Sequence, residues 1–186
     1  SPLAYIRTNV EGTYNILETA KNMNFKQVII TSTSETYGTA QYIPIDEKHP
    51  MVAQSPYAAS KISADQLSLS YFRAYNVPVK IIRPFNIFGP RQSLRAIIPT
   101  IITQILGKKD FITLGSLEVK RDFTYVSDAC NAYLSVLNSP KFFGEVVNVG
   151  MNKNISINDL VNLISTKLKY KPQIKIDNKR VRPTNS

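Results

Sequence analysis

Residues 25–33 read FKQVIITST, a short apolar and β-branched run in which apolar and polar positions hardly alternate. Such a run is typical of a strand that lies inside a parallel sheet and is buried on both faces. A second run of this kind, VKIIRPF at residues 79–85, is followed by the Gly89-Pro90 pair, which signals a turn. The two runs predict neighbouring buried strands.

Helical patterns separate and surround these runs. Residues 54–75 are predicted to form a helix with Ser55 as N-cap and Pro56 in the first turn, where its missing N–H costs nothing. Further helices are expected at residues 4–23, 97–107 and 126–137, a strand at 145–149, a capping box at 156–159 and an alternating segment at 173–177. Helices that alternate with apolar strands indicate an α/β fold with a parallel sheet.

The composition is that of an ordinary globular protein, with 43% apolar and 19% charged residues among 186. No window offers the roughly 18 uninterrupted apolar residues of a membrane span, and the first residues lack the pattern of a signal peptide. The single cysteine, Cys130, which we expect in the core, excludes an internal disulfide and fits a cytoplasmic location. With one histidine besides, His49, which we expect at a loop surface, the chain lacks the usual ligands of a zinc site.

The net charge of +10 is unevenly distributed, because residues 141–186 carry nine basic and three acidic side chains. A basic end of this kind is compatible with nucleic acid, an acidic membrane surface, a phosphorylated ligand or simply a solvated lysine-rich surface. Nucleic-acid binding would require aromatic residues interleaved with the basic ones, and from residue 167 onward only Tyr170 meets that condition.

The glycines lie at positions 12, 38, 89, 107, 115, 144 and 150, and no two of them form the glycine-rich loop with which a dinucleotide-binding sheet normally begins. The chain also opens directly on a predicted helix. Either it does not come from a dinucleotide enzyme, or the first strands and their loop are missing from it.

Two polar segments point to chemistry. The first, TSTSETYG at residues 31–38, follows a buried strand, and ligands bind at the carboxyl ends of the strands in an open parallel sheet. The second is YAASK at residues 57–61, in which Tyr57 and Lys61 share one face of a helix. A lysine ammonium beside a phenol favours the phenolate, which would let the tyrosine act as a base near neutral pH.

Together with four further motifs, these segments resemble the extended short-chain dehydrogenase/reductase family, specifically its nucleotide-sugar epimerases and dehydratases. The further motifs are NVEGT at 9–13, RPFNIFGP at 83–90, RDFTYVSD at 121–128 and NVG at 148–150. The resemblance implies a Rossmann-like doubly wound parallel sheet that lacks its N-terminal strands, with a smaller α/β substrate-binding region. Residues 1–86 would belong to the NAD-binding domain, and residues 87–186 to the substrate-binding region interleaved with the last Rossmann elements.

The resemblance also implies roles in a 4,6-dehydratase that uses NAD. Tyr57 would deprotonate the 4-hydroxyl of the sugar, Lys61 would tune Tyr57 and hold the nicotinamide ribose, and Thr33 would hydrogen-bond the C4 oxygen. Glu35 would remove the C5 proton, and epimerases usually have a small or apolar residue in its place. Ser34 stands where many dehydratases have an aspartate, and some dehydratases share the T-S-E sequence of this chain. In that case Glu35 would serve as both base and acid.

The remaining implied contacts concern ligands and a second subunit. Cofactor contacts would come from Asn9, Ser32 and Pro84, and contacts with a nucleotide-diphosphate sugar from Asn86, Arg91, Arg121 and Arg182. Helices near residues 4–23 and 55–75 would pair two subunits into a homodimer. The segment from residue 89 to 107 looks most like dehydratases acting on nucleotide-linked N-acetylglucosamine in legionaminic-type pathways, with UDP or GDP as the nucleotide.

Three alternatives stay open from the sequence. A nucleotide-sugar 4-epimerase and a UDP-glucuronate decarboxylase share much of the motif set, although decarboxylases usually carry acidic residues where this chain has Ala58, Ala59 and Ser60. The third alternative is not an enzyme but a basic module that binds RNA or a membrane surface.

Overall fold

The computed structural model describes residues 1–108 and 110–177. The described chain divides into two compact units. The first comprises Ser1–Phe85 and Ser127–Gly150, and the second comprises Asn86–Val126 and the chain from Met151 onward.

The described elements follow one another in the order α1 (Pro2–Tyr5), a π-helical segment (Ile6–Glu11), α2 (Gly12–Asn22), β1 (Val28–Thr31), a 3₁₀ turn (Ser34–Tyr37), α3 (Pro56–Tyr75), β2 (Val79–Pro84), β3 (Asn86–Phe88), α4 (Ile97–Leu106), β4 (Phe111–Leu114), β5 (Lys120–Tyr125), α5 (Val126–Asn138), β6 (Val146–Val149), β7 (Asn154–Ser156), α6 (Ile157–Leu168) and β8 (Gln173–Ile176). The strands and helices expected from the sequence are confirmed, with boundaries shifted by a few residues. The short strands β3, β4, β5 and β7 were not predicted, since each is too short or too polar to show a period.

The first unit is built on a parallel sheet with the strand order β1-β2-β6 among the described residues. Every residue of β2 is buried, as expected for a central strand with both faces covered. Side chains alternate along the strand, so that Ile81 packs with α2 and α3 while Ile82 packs with α5. Helices on both faces of a parallel sheet confirm the α/β class and its doubly wound arrangement.

Local signals in the sequence explain where the helices start. The Ser55 hydroxyl accepts a hydrogen bond from the Ala58 N–H at 3.0 Å, and Pro56 occupies the first helical position of α3. At the start of α6, the Ser156 hydroxyl accepts from the Asp159 N–H at 3.0 Å and donates to the Asp159 carboxylate at 2.6 Å. Both predicted N-caps are confirmed.

The second unit contains a three-stranded sheet in the order β3-β5-β7 and a parallel pair, β4 with β8. Helices α4 and α6 share one apolar cluster with the β4–β8 pair, whose buried members are Ile101, Ile105, Ile112, Leu114, Ile157, Leu160 and Val161. Elsewhere in this unit Gly89 packs closely against Val126, because a Cβ on Gly89 would lie 2.6 Å from Cγ1 of Val126.

Two placements differ from the expectations. Cys130 is exposed, because α5 turns Ala129 and Val136 toward the sheet and Cys130 lies one position away from that stripe. His49 is buried, packed against Tyr37 and Tyr42. Its Nε2 accepts from the Gln41 N–H and its Nδ1 lies 2.9 Å from the Pro50 carbonyl oxygen, so both ring nitrogens are satisfied in the interior.

Two kinds of feature are absent from the described residues. None of their helices combines the length and apolarity that crossing a bilayer requires. The same residues contain no group of three or more His, Cys, Asp or Glu side chains that could hold a metal ion.

Candidate active site

The candidate active site lies in the first unit, at the carboxyl end of β1. Thr31 is the last residue of that strand, and the chain continues through Ser32 and Thr33 into the 3₁₀ turn Ser34–Tyr37. In parallel sheets this end of the strands is where ligands bind.

Helix α3 holds this strand end with side chains spaced one turn apart. The Lys61 ammonium donates to the Thr31 carbonyl at 2.9 Å, and the Ser32 hydroxyl donates to the Asp65 carboxylate at 2.8 Å. One turn before Lys61, the Tyr57 phenol is hydrogen-bonded to the Thr33 side chain. Three successive residues of the chain are therefore fixed by three positions on one face of α3.

The Tyr57 phenol is half-buried and its pKa is raised, chiefly by burial and next by the negative charge of Glu35, while the hydrogen bond with Thr33 lowers it. This direction is opposite to the expected effect of Lys61. The ammonium of Lys61 is directed to the Thr31 carbonyl, and burial lowers the pKa of Lys61 itself, with the charge of Asp65 opposing that effect. In the free chain, burial and the charge of Glu35 therefore favour the neutral phenol of Tyr57 over its phenolate.

Glu35 lies in the 3₁₀ turn with its side chain exposed. The Thr33 hydroxyl caps the turn by accepting from the Glu35 N–H at 3.2 Å. The turn closes at Gly38, and two features require glycine there. Its φ is 65°, and a Cβ added to it would lie 2.6 Å from the carbonyl oxygen of Val52. Ser34 is half-buried beside Glu35. An exposed carboxylate whose charge acts on a neutral phenol is an arrangement suited to moving two different protons of one substrate.

The predicted cofactor residues occupy different environments. The Asn9 amide, in the π-helical segment, donates to the Ser60 hydroxyl at 2.9 Å, which ties that segment to α3 next to Tyr57. Ser32 and Pro84 are buried, and the Ser32 hydroxyl is bound to Asp65. We therefore expect Ser32 and Pro84 to meet a ligand through main-chain atoms.

The predicted substrate residues Asn86, Arg91 and Arg121 belong to the second unit. The Asn86 amide donates to the Asp122 carbonyl at 3.0 Å and so links β3 to β5. Arg91 is exposed in a turn with φ of 65°, and half-buried Arg121 donates from Nη1 to the Lys120 carbonyl at 3.1 Å. Arg182 lies outside the described residues.

A buried polar network that the sequence did not predict lies behind the strand end. Its centre is the ion pair between Arg83 and Asp65, in which Nε and Nη2 of the arginine both lie 2.9 Å from Oδ2. Arg83 also donates from Nη1 to the Tyr37 hydroxyl at 3.0 Å, and that hydroxyl donates to Asn148 at 2.7 Å. A signal was present, because a charged residue inside a buried strand requires a buried partner.

Comparison with known proteins gives one family. The family model described as GDP-mannose 4,6 dehydratase matches residues 1–186. A putative UDP-glucose 4-epimerase of Methanocaldococcus jannaschii is 32% identical over 176 residues, covering 92% of this chain and 57% of that protein.

Two solved structures have the same fold. The dTDP-glucose 4,6-dehydratase of Bacillus anthracis in complex with NAD has a TM-score of 0.90 and 32% identity, covering 96% of this chain and 58% of the other. The UDP-N-acetylglucosamine 4-epimerase of Methanobrevibacter ruminantium in complex with UDP-N-acetylmuramic acid has the same score and identity, covering 100% and 60%. The chain therefore spans little more than half the length of these proteins.

Proposed function

The chain belongs to the family of the GDP-mannose 4,6-dehydratase model, and we propose that it carries the catalytic residues of a 4,6-dehydratase. The family includes NAD-dependent nucleotide-sugar dehydratases and epimerases. The observation that supports the proposal most directly is Glu35, an exposed carboxylate whose charge acts on the Tyr57 phenol. A second group able to take a proton, beside the tyrosine, is what elimination of water needs beyond oxidation at C4.

The donor set at the strand end fits the nicotinamide ribose of NAD. A lysine ammonium has three N–H groups, and the Thr31 carbonyl takes one of those on Lys61, which leaves donors for sugar hydroxyls. The chain has no glycine-rich loop for the pyrophosphate, so this part of the cofactor would be bound by residues outside it. When bound, NAD would supply the oxidation at C4 and the later reduction at C6.

The chain's own residues would then move the protons. Tyr57 acts as its phenolate, which the positive charges of Lys61 and of the bound nicotinamide would favour over the neutral phenol of the free chain. In that form it takes the proton of the sugar 4-hydroxyl while Thr33 hydrogen-bonds that oxygen. The C4 ketone makes the C5 proton acidic, so a carboxylate of ordinary strength such as Glu35 is sufficient to remove it when positioned within hydrogen-bond reach. The 6-hydroxyl leaves as water, and because Ser34 replaces the usual aspartate, Glu35 returns the proton to that leaving group. When C6 is reduced, C5 takes a proton from solvent, which balances the proton that Tyr57 releases.

We propose a nucleotide-diphosphate sugar as the substrate, with UDP- or GDP-N-acetylglucosamine as the first candidates. Arg91 and Arg121 supply guanidinium groups, whose planar forks match diphosphate oxygens. The second candidate activity is 4-epimerisation, favoured by the similarity to two 4-epimerases and opposed by Glu35.

We further propose a homodimer through the N-terminal helical segment and α3. Large apolar side chains are exposed along the former, namely Leu3, Tyr5, Ile6, Tyr14 and Ile16. Light scattering should give twice the monomer mass, and an Ile16→Glu variant should shift it toward the monomer. A wild-type protein that is monomeric at high concentration would contradict this part of the proposal.

The test of function is a product assay on this chain extended to the full length of its relatives. The protein is incubated with NAD and, in separate reactions, UDP- and GDP-N-acetylglucosamine and dTDP-glucose, and the sugar nucleotide is followed by mass spectrometry. Loss of one water that Glu35→Gln abolishes, and that the exposed control Glu145→Gln retains, is the expected result.

Other products would change the assignment. An unchanged mass with inversion at C4 by NMR would make the protein an epimerase. Loss of carbon dioxide from UDP-glucuronate in a parallel reaction would make it a decarboxylase. For the isolated chain we expect neither turnover nor a heat of NAD binding in titration calorimetry.

A further inference from the structure

The turn that carries Glu35 is short and is held at both ends. At its start, the Thr33 hydroxyl accepts from the Glu35 N–H, and the Thr36 hydroxyl donates back to the Thr33 carbonyl at 2.8 Å. At its end stands Tyr37, whose side chain is 0% exposed. A 3₁₀ turn has few hydrogen bonds of its own, so the place of Glu35 depends on these two anchors.

Tyr37 is fixed at its hydroxyl and across its ring. The hydroxyl accepts from Nη1 of Arg83 at 3.0 Å and donates to Oδ1 of Asn148 at 2.7 Å. The Arg83 guanidinium lies 4.9 Å from the ring centroid, and the His49 ring meets the Tyr37 ring edge-on at 5.5 Å. Burial raises the pKa of Tyr37, so the hydroxyl keeps the proton that it donates to Asn148.

The ion pair between Arg83 and Asp65 also holds the end of β1, which precedes the turn. Asp65 binds Arg83 on one side and accepts from the Ser32 hydroxyl on the other. Arg83 therefore connects Ser32, before the turn, with Tyr37, at its end. Displacement of either anchor would move the turn relative to α3, where Tyr57 is located.

We propose that Tyr37 is a positioning residue for Glu35, and that its hydroxyl, held between Arg83 and Asn148, sets the place of the Glu35 carboxylate relative to Tyr57. Tyr37 touches no reacting atom in this role. The inference rests on the proposed function, because it assigns a geometric origin to the C5 base.

The test compares Tyr37→Phe with a matched control, Tyr133→Phe, in the full-length protein. The Tyr133 hydroxyl donates to the Thr31 hydroxyl at 3.1 Å, so the control removes a tyrosine hydroxyl bound at the same strand without touching the turn. We expect Tyr37→Phe to slow loss of water about 10- to 100-fold, the cost of a small misplacement of a catalytic group. Exchange of the substrate's C5 hydrogen with deuterated water should fall by the same factor, and the control should leave both unchanged.

A second readout does not depend on turnover. Because the charge of Glu35 raises the pKa of Tyr57, a displaced Glu35 should let that pKa fall, which carbon-13 NMR of ζ-labelled tyrosine can follow in the free protein. Should Tyr37→Phe fail to fold, Asn148→Ala removes the acceptor of the same hydroxyl and is expected to act in the same direction.

The outcomes separate this inference from the proposed function. If Glu35→Gln abolishes water loss while Tyr37→Phe retains wild-type turnover, exchange and Tyr57 titration, the positioning role is wrong. A loss of thermal stability in Tyr37→Phe without a change in Tyr57 titration would also overturn it. If Glu35→Gln still releases water, the proposed function itself fails, whatever Tyr37→Phe does.

Discussion

Strand β2 carries two buried cations that point to opposite faces of the same sheet and are satisfied in different ways. Lys80 is 0% exposed and donates to the carbonyl oxygens of Val136 and Ser139, at the end of α5, at 2.9 and 2.6 Å. Arg83 is 2% exposed and pairs with the Asp65 carboxylate on α3.

The two cations have different roles: Lys80 stabilises helix packing on one face of the sheet, and Arg83 supports the candidate site on the other. The carboxyl end of a helix carries partial negative charge, so neutral carbonyls suffice for Lys80, whose effect stays within the packing of α5 on the sheet. Arg83 balances a full charge and also holds the Tyr37 hydroxyl beside the candidate catalytic turn. One cation closes a helix end, while the other couples the strand to the site.

Removal of Arg83 should have the largest effect. Arg83→Met leaves Asp65 buried without its counter-ion, and losing one member of a buried pair costs about 3–5 kcal/mol of unfolding free energy. Urea denaturation of the purified protein measures it. A loss under about 1 kcal/mol would mean that Asp65 gains water or another partner.

The same variant has a predictable pH dependence. Burial raises the pKa of Asp65 above its unfolded value, and loss of Arg83 raises that pKa further. A carboxyl of this kind favours the folded state at low pH, and this contribution is lost as the pH rises from the unfolded pKa, about 3.9, through the folded one. The destabilisation by Arg83→Met should therefore be smaller near about pH 4 than at pH 7.

Lys80→Met should cost less. It leaves two carbonyl oxygens without their donor but no opposite charge unpaired, which is expected to lower the unfolding free energy by about 1–3 kcal/mol. Equal losses in the two variants at every pH would show that the sheet holds Lys80 and Arg83 in the same way.

The strand itself could be predicted from its residues, and the partners of its cations could not. VKIIRP has enough β-branched apolar residues to indicate a buried strand, and Tyr57, Lys61 and the segment after β1 could be placed at its edge by their spacing. The partner of Arg83 is a lone aspartate 18 positions earlier on a helix, a pairing that no local period encodes. The burial of His49 was missed for another reason, since its hydrogen-bond partners are main-chain groups of its own loop, which leave no mark in the side-chain pattern.

Replacing both members of the pair should have a smaller effect than removing one. Asp65→Leu combined with Arg83→Met leaves no unpaired charge, so its stability should lie within about 2 kcal/mol of wild type. Water loss should nevertheless stay slow, because the Tyr37 hydroxyl lacks its donor. Full recovery of both stability and turnover in the double variant would show that Arg83 acts only through packing.

The smallest effect is expected at a similar cluster nearer the surface, in which Tyr71 is buried but the Glu18 and Lys21 side chains are 29% and 34% exposed. Glu18 accepts from the Tyr71 hydroxyl at 2.6 Å and from Lys21 at 3.1 Å, which lowers the pKa of Glu18 and raises that of Tyr71 to about 12. Because the pKa of Glu18 is lowered, its contribution is present above its unfolded pKa, about 4.3, and is lost as the pH falls through the folded value. Glu18→Gln should therefore lower the melting temperature less than Lys80→Met at pH 7 and hardly at all in strong acid.

Asn148, which anchors Tyr37, also belongs to β6, the outer strand of the described part of the first sheet. Its main-chain N–H donates to Oε1 of Glu47 at 2.8 Å. An outer strand whose N–H groups are free is a template on which another chain can add a strand, and such contacts lead to aggregation. The Glu47 carboxylate occupies one of the N–H groups to which a further strand would pair, so the loop that carries Glu47 and His49 also caps this part of the strand edge.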